Sequence, residues 1–326
     1  MSMKAAVVGK AGPELRDLPI PAPGPNEVLV KIHAAALNRA DLGMAAGHKH
    51  GSSGGVGAPL GLEWAGEVIR AGAEAGGYQP GDRVMCSGLG GFAEYAVADH
   101  RRCFTVPDRM GWREAACFPV ALRTMVDAVL INGAMQRGQK VMILGASSGV
   151  GILGMQIAKA CGAALVIGTS TNPQRRGQLT SYGADHAIDP SAEDWAQHVL
   201  ELSGGSGVDL IVDMLSGPYV NAAMTCTALG GRIVNVGRLA GQLGEFNFDL
   251  HALRRIQYIG VTFRTRTIDD VAAINERVRQ DVWRYVEDGR FKMPMDRDMP
   301  LMQIRQTLAE MHDNNHFGKI TVSPGN

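Results

Sequence analysis

Apolar and polar residues alternate in short runs over the first third of the chain. Lys4–Val8, Glu27–Ala36, Glu63–Ile69, Arg83–Cys86, Ala93–Ala98 and Cys103–Val106 are brief and rich in β-branched and small apolar residues. Turns such as PAPGP (Pro21–Pro25) and QPGD (Gln79–Asp82) separate them, which predicts a β-rich region over residues 1–123. From about Thr124 the rhythm changes. Strand-like runs at Val141–Leu144, Leu165–Gly168, Ala187–Ile188, Val208–Asp213, Arg232–Val236 and Gln257–Thr262 alternate with helical stretches. That alternation predicts an α/β fold with a doubly wound parallel sheet. Beyond it, Asp269–Asp288 puts Val271, Ile274, Val278, Val282 and Tyr285 on one helical face, with Gly289 to stop the helix. Leu301–Met311 does the same with Leu301, Ile304, Leu308 and Met311, and both stripes read as core-facing. Lys319–Val322 reads as a closing strand. Its return to the β-rich part would make that domain discontinuous, residues 1–123 with 265–326 around a nucleotide domain at 124–264.

One junction in this pattern carries chemistry. Lys140–Leu144 runs into a glycine turn, and Gly149, Gly151 and Gly154 come next in the spacing G-x-G-x-x-G where an apolar helix begins. A strand feeding such a turn at a helix N-terminus makes a seat for a dinucleotide pyrophosphate. The first glycine is expected to permit the turn, the second to let the backbone approach the phosphates, and the third to let helix and strand pack. The alternative is a tight strand-to-helix turn with no ligand. The next strand ends at Thr169, Ser170 and Thr171, where NAD sites carry an acid for the ribose 2′-hydroxyl about 20 residues past the motif. No Asp or Glu occurs between Gly145 and Ala184; Ser170, Thr171, Asn172, Arg175 and Arg176 stand there instead. A carboxylate would repel a 2′-phosphate, whereas hydroxyls and an arginine fork would hold it, so NADPH is expected over NADH. Arg175 is the first arginine reached; both arginines could instead be solvated charges on a helix from Pro173.

Composition narrows the setting. At 326 residues, 45% hydrophobic and 20% charged, the chain is long enough for two domains. Lys plus Arg and Asp plus Glu are both 32, so no net charge draws it to nucleic acid or an anionic membrane. No apolar run reaches membrane-spanning length and the N-terminal stretch lacks a signal-peptide core. The five cysteines are scattered and form no C-x-x-C pair, which fits a reducing, cytoplasmic location. The glycine- and serine-rich stretch Gly51–Gly61 reads as a mobile loop.

Particular residues then resemble a family. Asn38-Arg39-Ala40-Asp41 matches the N-R-A-D segment of zeta-crystallin-like NADPH:quinone oxidoreductases, and Gly61-Leu62-Glu63-Trp64-Ala65-Gly66 resembles their G-x-E-x-x-G turn. Pro80–Val84, Ala146–Gly151, Gly183-Ala184-Asp185 and Phe317-Gly318-Lys319-Ile320 occur in the family's order, and Arg264-Thr265-Arg266 looks like the arginine pair of one branch. The resemblance spans essentially the whole chain. It implies a Rossmann nucleotide domain beside a GroES-like β-rich domain, within the medium-chain dehydrogenase/reductase superfamily. Zinc members use an early Cys, a His in a G-H-E turn and a later Cys. Aligned on those motifs, the early ligand falls near Arg39 to Ala40, the histidine is Leu62 and the later Cys falls near Val120. No structural-zinc cysteine cluster is present, so no metal is expected. His48 and His50 in the next loop read as solvated polar residues, with His48 a candidate for orienting an acceptor oxygen.

The resemblance further implies roles. Asn38 and Thr124 are the catalytic candidates beside nicotinamide and substrate; the plainer readings are an Asx cap and a helix hydroxyl. Ala146, Ser147, Ser148, Gly149, Val150 and Gly151 would hold the pyrophosphate, and Ser170 and Arg175 the 2′-phosphate. Gly237, Arg238 and Leu239, then Val261, Thr262 and Phe263, would run along the nicotinamide, with Asn314 a polar neighbour. The expected activity is hydride transfer to an acceptor that is already electrophilic, a quinone first. An enone or enoyl-thioester reductase is the alternative; Arg254, Arg255, Arg264 and Arg266 would give it a basic entrance, but the tyrosine such enzymes use is missing from Ala46–His50. A third reading is an NADPH-binding sensor or RNA-binding protein with little catalysis, against which neutral charge and 6% aromatics argue. A homodimer with no membrane partner is expected.

Overall fold

The structure, a computed structural model, describes residues 1–51 and 54–325; Ser52 and Ser53 of the predicted Gly51–Gly61 loop lie outside it. In chain order the strands are β1 (Ser2–Gly9), β2 (Gly12–Pro19), β3 (Glu27–Ala36), β4 (Glu63–Ala71), β5 (Arg83–Ser87), β6 (Tyr95–Asp99), β7 (Cys103–Thr105), β8 (Lys140–Leu144), β9 (Leu165–Thr169), β10 (His186–Ile188), β11 (Val208–Asp213), β12 (Thr227–Asn235), β13 (Gln257–Gly260), β14 (Met295–Pro300) and β15 (Lys319–Ser323). Four early helices accompany them: α1 (Arg39–Ala45), α2 (Trp112–Ala116), α3 (Pro119–Met125) and α4 (Gly149–Ala160).

Two compact units result. The first comprises Met1–Val120, Phe263–Glu276 and Met293–Asn326. Its main sheet runs in the order β14-β15-β3-β4-β5-β7, with β6 also paired to β3, and β1 and β2 form a separate hairpin. Lys10 and Ala11 make the hairpin's two-residue loop between the paired Gly9 and Gly12. β15 pairs antiparallel with β3 (Thr321 opposite Ala36), which brings the chain's end back to this sheet. Trp64, Phe92, Leu37, Met44 and Leu60 are fully buried in its core.

The second unit comprises Ala121–Thr262 and Arg277–Lys292. Its six strands are all parallel, in the order β10-β9-β8-β11-β12-β13, and Met142 and Leu144 of β8 lie fully buried at its centre. The order reverses between β8 and β11, the switch point at which such sheets leave a crevice for ligands. The sequence-based boundaries at 123/124 and 264/265 differ from these by a few residues, and residues 277–292 fall with the nucleotide sheet instead of the β-rich domain. Specific bonds explain that. Gln156 of α4 exchanges hydrogen bonds with the Lys292 backbone at 2.8 Å in both directions, and the Tyr285 hydroxyl donates to Ala160 O at 3.0 Å. The predicted Asp269–Asp288 helix is two pieces, Ile268–Asp281 and Trp283–Glu287, broken at Val282 (φ −133°).

Candidate functional site

The second unit builds the nucleotide motif. β8 ends at Leu144, and Gly145 turns the chain with φ +91°, a left-handed conformation that favours glycine. The tight-turn glycine is therefore Gly145, whereas the sequence reading gave that task to Gly149, which is already the first residue of α4. Ala146 N donates to Thr169 O at 2.8 Å and Gly145 N to the Thr169 hydroxyl at 2.9 Å, tying the loop to the end of β9. Ser148 is the N-cap, its hydroxyl accepting from Gly151 N at 3.1 Å. A Cβ on Gly151 would lie 2.7 Å from Ala146 Cα and 2.9 Å from Ala146 O, so this glycine lets the helix start close under the loop. The third glycine packs differently from expectation: at Gly154 the close neighbour is the Met125 side chain of α3, 2.7 Å from a built Cβ, and not the strand. With Val150 the loop Ala146–Gly151 thus presents small residues, two hydroxyls and the N-terminus of a twelve-residue helix.

The end of β9 lies beside it. The Ser170 hydroxyl donates to the Ser147 hydroxyl at 3.2 Å, joining the two loops the sequence assigned to phosphates. Asn172 caps the short helix Pro173–Arg176 by accepting from Arg175 N at 3.0 Å, which fixes the Arg175 backbone two residues past Pro173. Arg176 donates to Asp189 Oδ2 (2.9 Å) and Ser170 O (2.8 Å), tying this helix to the end of β9. At the other half of the sheet, Gly237 and Leu239 hang on the end of β11 through Gly237 N to Asp213 O (3.2 Å) and Leu239 N to Met214 O (3.2 Å). Arg238 bonds back to Val236 O, and Val261 N donates to Asn235 O at 3.0 Å. Thr262 closes the second unit and Phe263 opens the next segment of the first, with Arg266 stacked over its ring. Thr124 is buried on α3.

A network here escaped the sequence reading. Asp213 Oδ1 accepts from Leu215 N (2.8 Å) and Ser216 N (2.9 Å), holding Ser216 at φ +59°. The Ser216 hydroxyl donates to Gly237 O at 2.7 Å and accepts from Asn235. Burial pushes the Asp213 carboxyl up, and burial and then the Asp213 charge push the Tyr258 phenol up to about 12. Together they pin the loops after β11 and β12 around a cavity of about 260 Å³ lined by Ser216, Asn235, Arg238, Phe246 and Tyr258. The available signal was an Asp at a strand end with Ser-Gly shortly after it, a loop-tightening pattern.

In the first unit the N-R-A-D and G-x-E-x-x-G segments meet. Gly61 takes φ +96°, and a Cβ there would sit 2.4 Å from Phe92 N, so the turn requires glycine. Glu63, wholly buried, accepts from Asn38 Nδ2 at 3.0 Å through Oε1 and from Val120 N at 2.8 Å through Oε2. Lys319 reaches in from β15, its Nζ donating to Glu63 Oε1, to Asn38 Oδ1 at 2.8 Å and to Leu37 O at 3.0 Å. Asn38 N donates to Asp41 Oδ2 at 2.7 Å. Asn314, in a left-handed turn (φ +56°), accepts from Arg39 at 2.8 Å. Asn38, just before the aligned early position at Arg39 to Ala40, reaches Glu63; Leu62 precedes that carboxylate in the chain and Val120 N donates to it. Among the described residues no group of three His, Cys, Asp or Glu side chains is arranged to hold a metal ion.

Residues 24–108 match the alcohol dehydrogenase GroES-like domain family and residues 149–279 the zinc-binding dehydrogenase family. Among curated relatives, the quinone oxidoreductase of Sus scrofa is 30% identical over 232 residues, 69% of this chain and 70% of that protein. A highly reducing polyketide synthase of Gibberella zeae is 28% identical over 268 residues; these cover 81% of this chain but the match spans only 11% of that protein's length. Among solved structures, a probable oxidoreductase from Mycobacterium abscessus superposes with a TM-score of 0.87 at 30% identity, covering 99% of each chain. The chain belongs to the medium-chain dehydrogenase/reductase superfamily, an oxidoreductase family in which quinone oxidoreductases are among its relatives.

Proposed function

We propose that this chain is an NADPH-dependent reductase that works without zinc and passes hydride to a quinone. The observation that carries the reading is the rim beyond β9. Ser170 is bonded to Ser147 of the phosphate loop, Arg175 comes shortly after, and no acid stands between Gly145 and Ala184. Hydroxyl donors and a guanidinium suit a 2′-phosphate, which a carboxylate would repel. Ala146–Gly151 would hold the pyrophosphate by backbone N–H groups at the start of α4. Gly237–Leu239, Val261–Phe263, Thr124 and Asn314 would contact the nicotinamide half. When bound, NADPH supplies a hydride with its electron pair. The acceptor then carries negative charge on oxygen, and water returns the proton.

Zinc independence is supported by residue chemistry. The positions of the three catalytic ligands fall near Arg39 to Ala40, at Leu62 and near Val120, none of which supplies a zinc ligand, and Lys319 is bonded to Glu63. With no ligand set for a Lewis acid, an acceptor electrophilic in itself fits best, and a quinone is one. The likeness to a polyketide synthase region favours an enoyl thioester as the second reading, although Ala46–His50 offers no tyrosine. A homodimer in the cytoplasm completes the proposal; no described helix is long and apolar enough to cross a membrane.

The test is NADPH oxidation, monitored at its absorbance band, over a panel of quinones, enones and enoyl thioesters with NADH alongside. Quinone turnover with NADPH preferred by at least about tenfold is expected, the scale of one charged hydrogen-bond set. Turnover confined to enones or thioesters transfers the chain to the second reading, and preference for NADH overturns the 2′-phosphate assignment. NADPH binding with no turnover of any acceptor leaves a sensor.

A further inference from the structure

Four polar side chains are buried together in the first unit: Asn38, Asp41, Glu63 and Lys319, with Lys319 only 3% exposed and Glu63 and Asp41 not exposed at all. Lysine and glutamate are almost never buried unless paired, so this arrangement has a specific cause. All three Lys319 ammonium protons are placed, on Glu63, Asn38 Oδ1 and Leu37 O. Glu63 is likewise filled, by Lys319, Asn38 and Val120 N. The Asn38 carboxamide bridges this directly bonded pair from the side, its oxygen on the ammonium and its nitrogen on the carboxylate.

A carboxamide in water flips between two orientations of nearly equal energy. Here the flip would set NH₂ against an ammonium and oxygen against a carboxylate, in a buried place where both contacts are costly. One orientation is therefore enforced. The ammonium on Oδ1 draws electron density from the amide and offsets what the carboxylate on Nδ2 returns to it, which keeps the remaining Nδ2–H a donor. Among the described residues that second proton meets Ala36 O alone, at a marginal 3.5 Å, so it is the group on Asn38 left for another oxygen. The backbone is fixed too, because Asp41 holds Asn38 N where α1 begins.

We propose that Lys319 and Glu63 are positioning residues for the reduction, clamping and polarising Asn38 so that its one spare amide proton is presented to the carbonyl oxygen on which charge builds. The inference rests on the reductase reading above, with Asn38 as the residue that touches the reacting groups. Lys319 and Glu63 act only through it.

The test has two readouts on the full chain. The first is the Asn38 side-chain amide in an ¹⁵N-resolved proton spectrum, identified by its loss in Asn38→Ala. In the wild type one amide proton is expected downfield of the other asparagine side chains and slow to exchange. Lys319→Met is expected to return it to the ordinary position. Loss of Lys319 alone strands a buried carboxylate, so the double variant Lys319→Met/Glu63→Gln, which removes both charges together, is the folding control. Lys319→Arg tests rescue. The second readout is steady-state kinetics. Both Met variants are expected to lower kcat at least tenfold with acceptor KM and NADPH affinity within about twofold. In an Asn38→Ala background, Lys319→Met is expected to cost nothing further. An ordinary Asn38 amide in the wild type, undiminished kcat in a folded Met variant, or full additivity with Asn38→Ala each overturns the positioning role while leaving the reductase reading in place. A wild type with the shifted amide but no turnover of any acceptor overturns the reductase reading, and the positioning role with it.

Discussion

Asp41 is the residue at which pH acts on this fold. It sits in the first turn of α1 with no exposure, and burial pushes its carboxyl up to about 7 against an ordinary 3.8. The hydrogen bonds from Asn38 and Gly61 and the Lys319 charge pull the other way and lose. Among the described residues one carboxylate oxygen, Oδ1, has no hydrogen-bond partner to offset the cost of burying its charge. The sign comes from proton counting. Between about pH 4 and pH 7 the folded chain holds a proton that the unfolded chain has released, so stability falls as pH rises across that window and levels off above it. The span is worth up to about 4 kcal/mol. Thermal melts from pH 5 to pH 8 should show wild-type Tm declining, and Asp41→Asn should lose that decline whatever its absolute Tm. A variant that keeps the full decline would remove Asp41 as its source. At this scale the sequence was half legible. Asn38, Glu63, Lys319 and Ser170 all stood inside readable motifs, but Lys319 meets Asn38 across 281 positions of sequence, and no local pattern couples residues so far apart.

Among elements, the strand-to-helix junction was readable because its signals are local: a strand, a glycine turn and an apolar helix within fifteen residues. Which glycine does what was not. Gly145 lies outside the motif spacing yet takes the left-handed turn, since the chain must reverse directly after Leu144. β2 and β14 escaped detection because their sequences, GPELRDLP and MDRDMP, are charged, half-exposed and proline-bounded; pairing with β1 and β15 makes them strands, not their own propensity. The junction also yields a contrast between two glycines. Gly151→Ala drives a methyl onto the Ala146 backbone, which cannot rotate away, so α4 must back off the loop. We expect a loss of about 1–3 kcal/mol in denaturant unfolding and NADPH binding, by fluorescence titration, weakened beyond that stability change. Gly111→Ala, at the N-cap of α2 with φ −74° and no atom within 4 Å of the new methyl, should change stability by less than about 1 kcal/mol. Equal effects at the two sites would mean that the close approach at Gly151 has no energetic weight.

For the molecule as a whole, the two kinds of periodicity in the sequence marked two units, and the units exist. Their edges were harder to read, because residues 277–292 join the nucleotide sheet through contacts to Gln156 and Ala160 that a helical stripe does not announce. The remaining question of scale is how many copies act together. β13 is the last strand of the six-stranded sheet, so among the described residues no strand pairs with its outer backbone groups. An uncovered parallel edge invites pairing, and a two-fold axis beside it would continue the sheet with an identical strand. The helix leading into β13, Phe248–Arg254, carries Phe248 and Leu253 at 76% and 72% exposure, apolar surface that association would remove from water. Zero net charge offers little repulsion to oppose it. Light scattering on the eluting peak should therefore give twice the chain mass of 34.7 kDa, and Phe248→Asp/Leu253→Asp should shift the peak to a single chain without changing the far-ultraviolet circular dichroism. A wild type that elutes as one chain at working concentration would remove the dimer and leave the β13 edge to solvent.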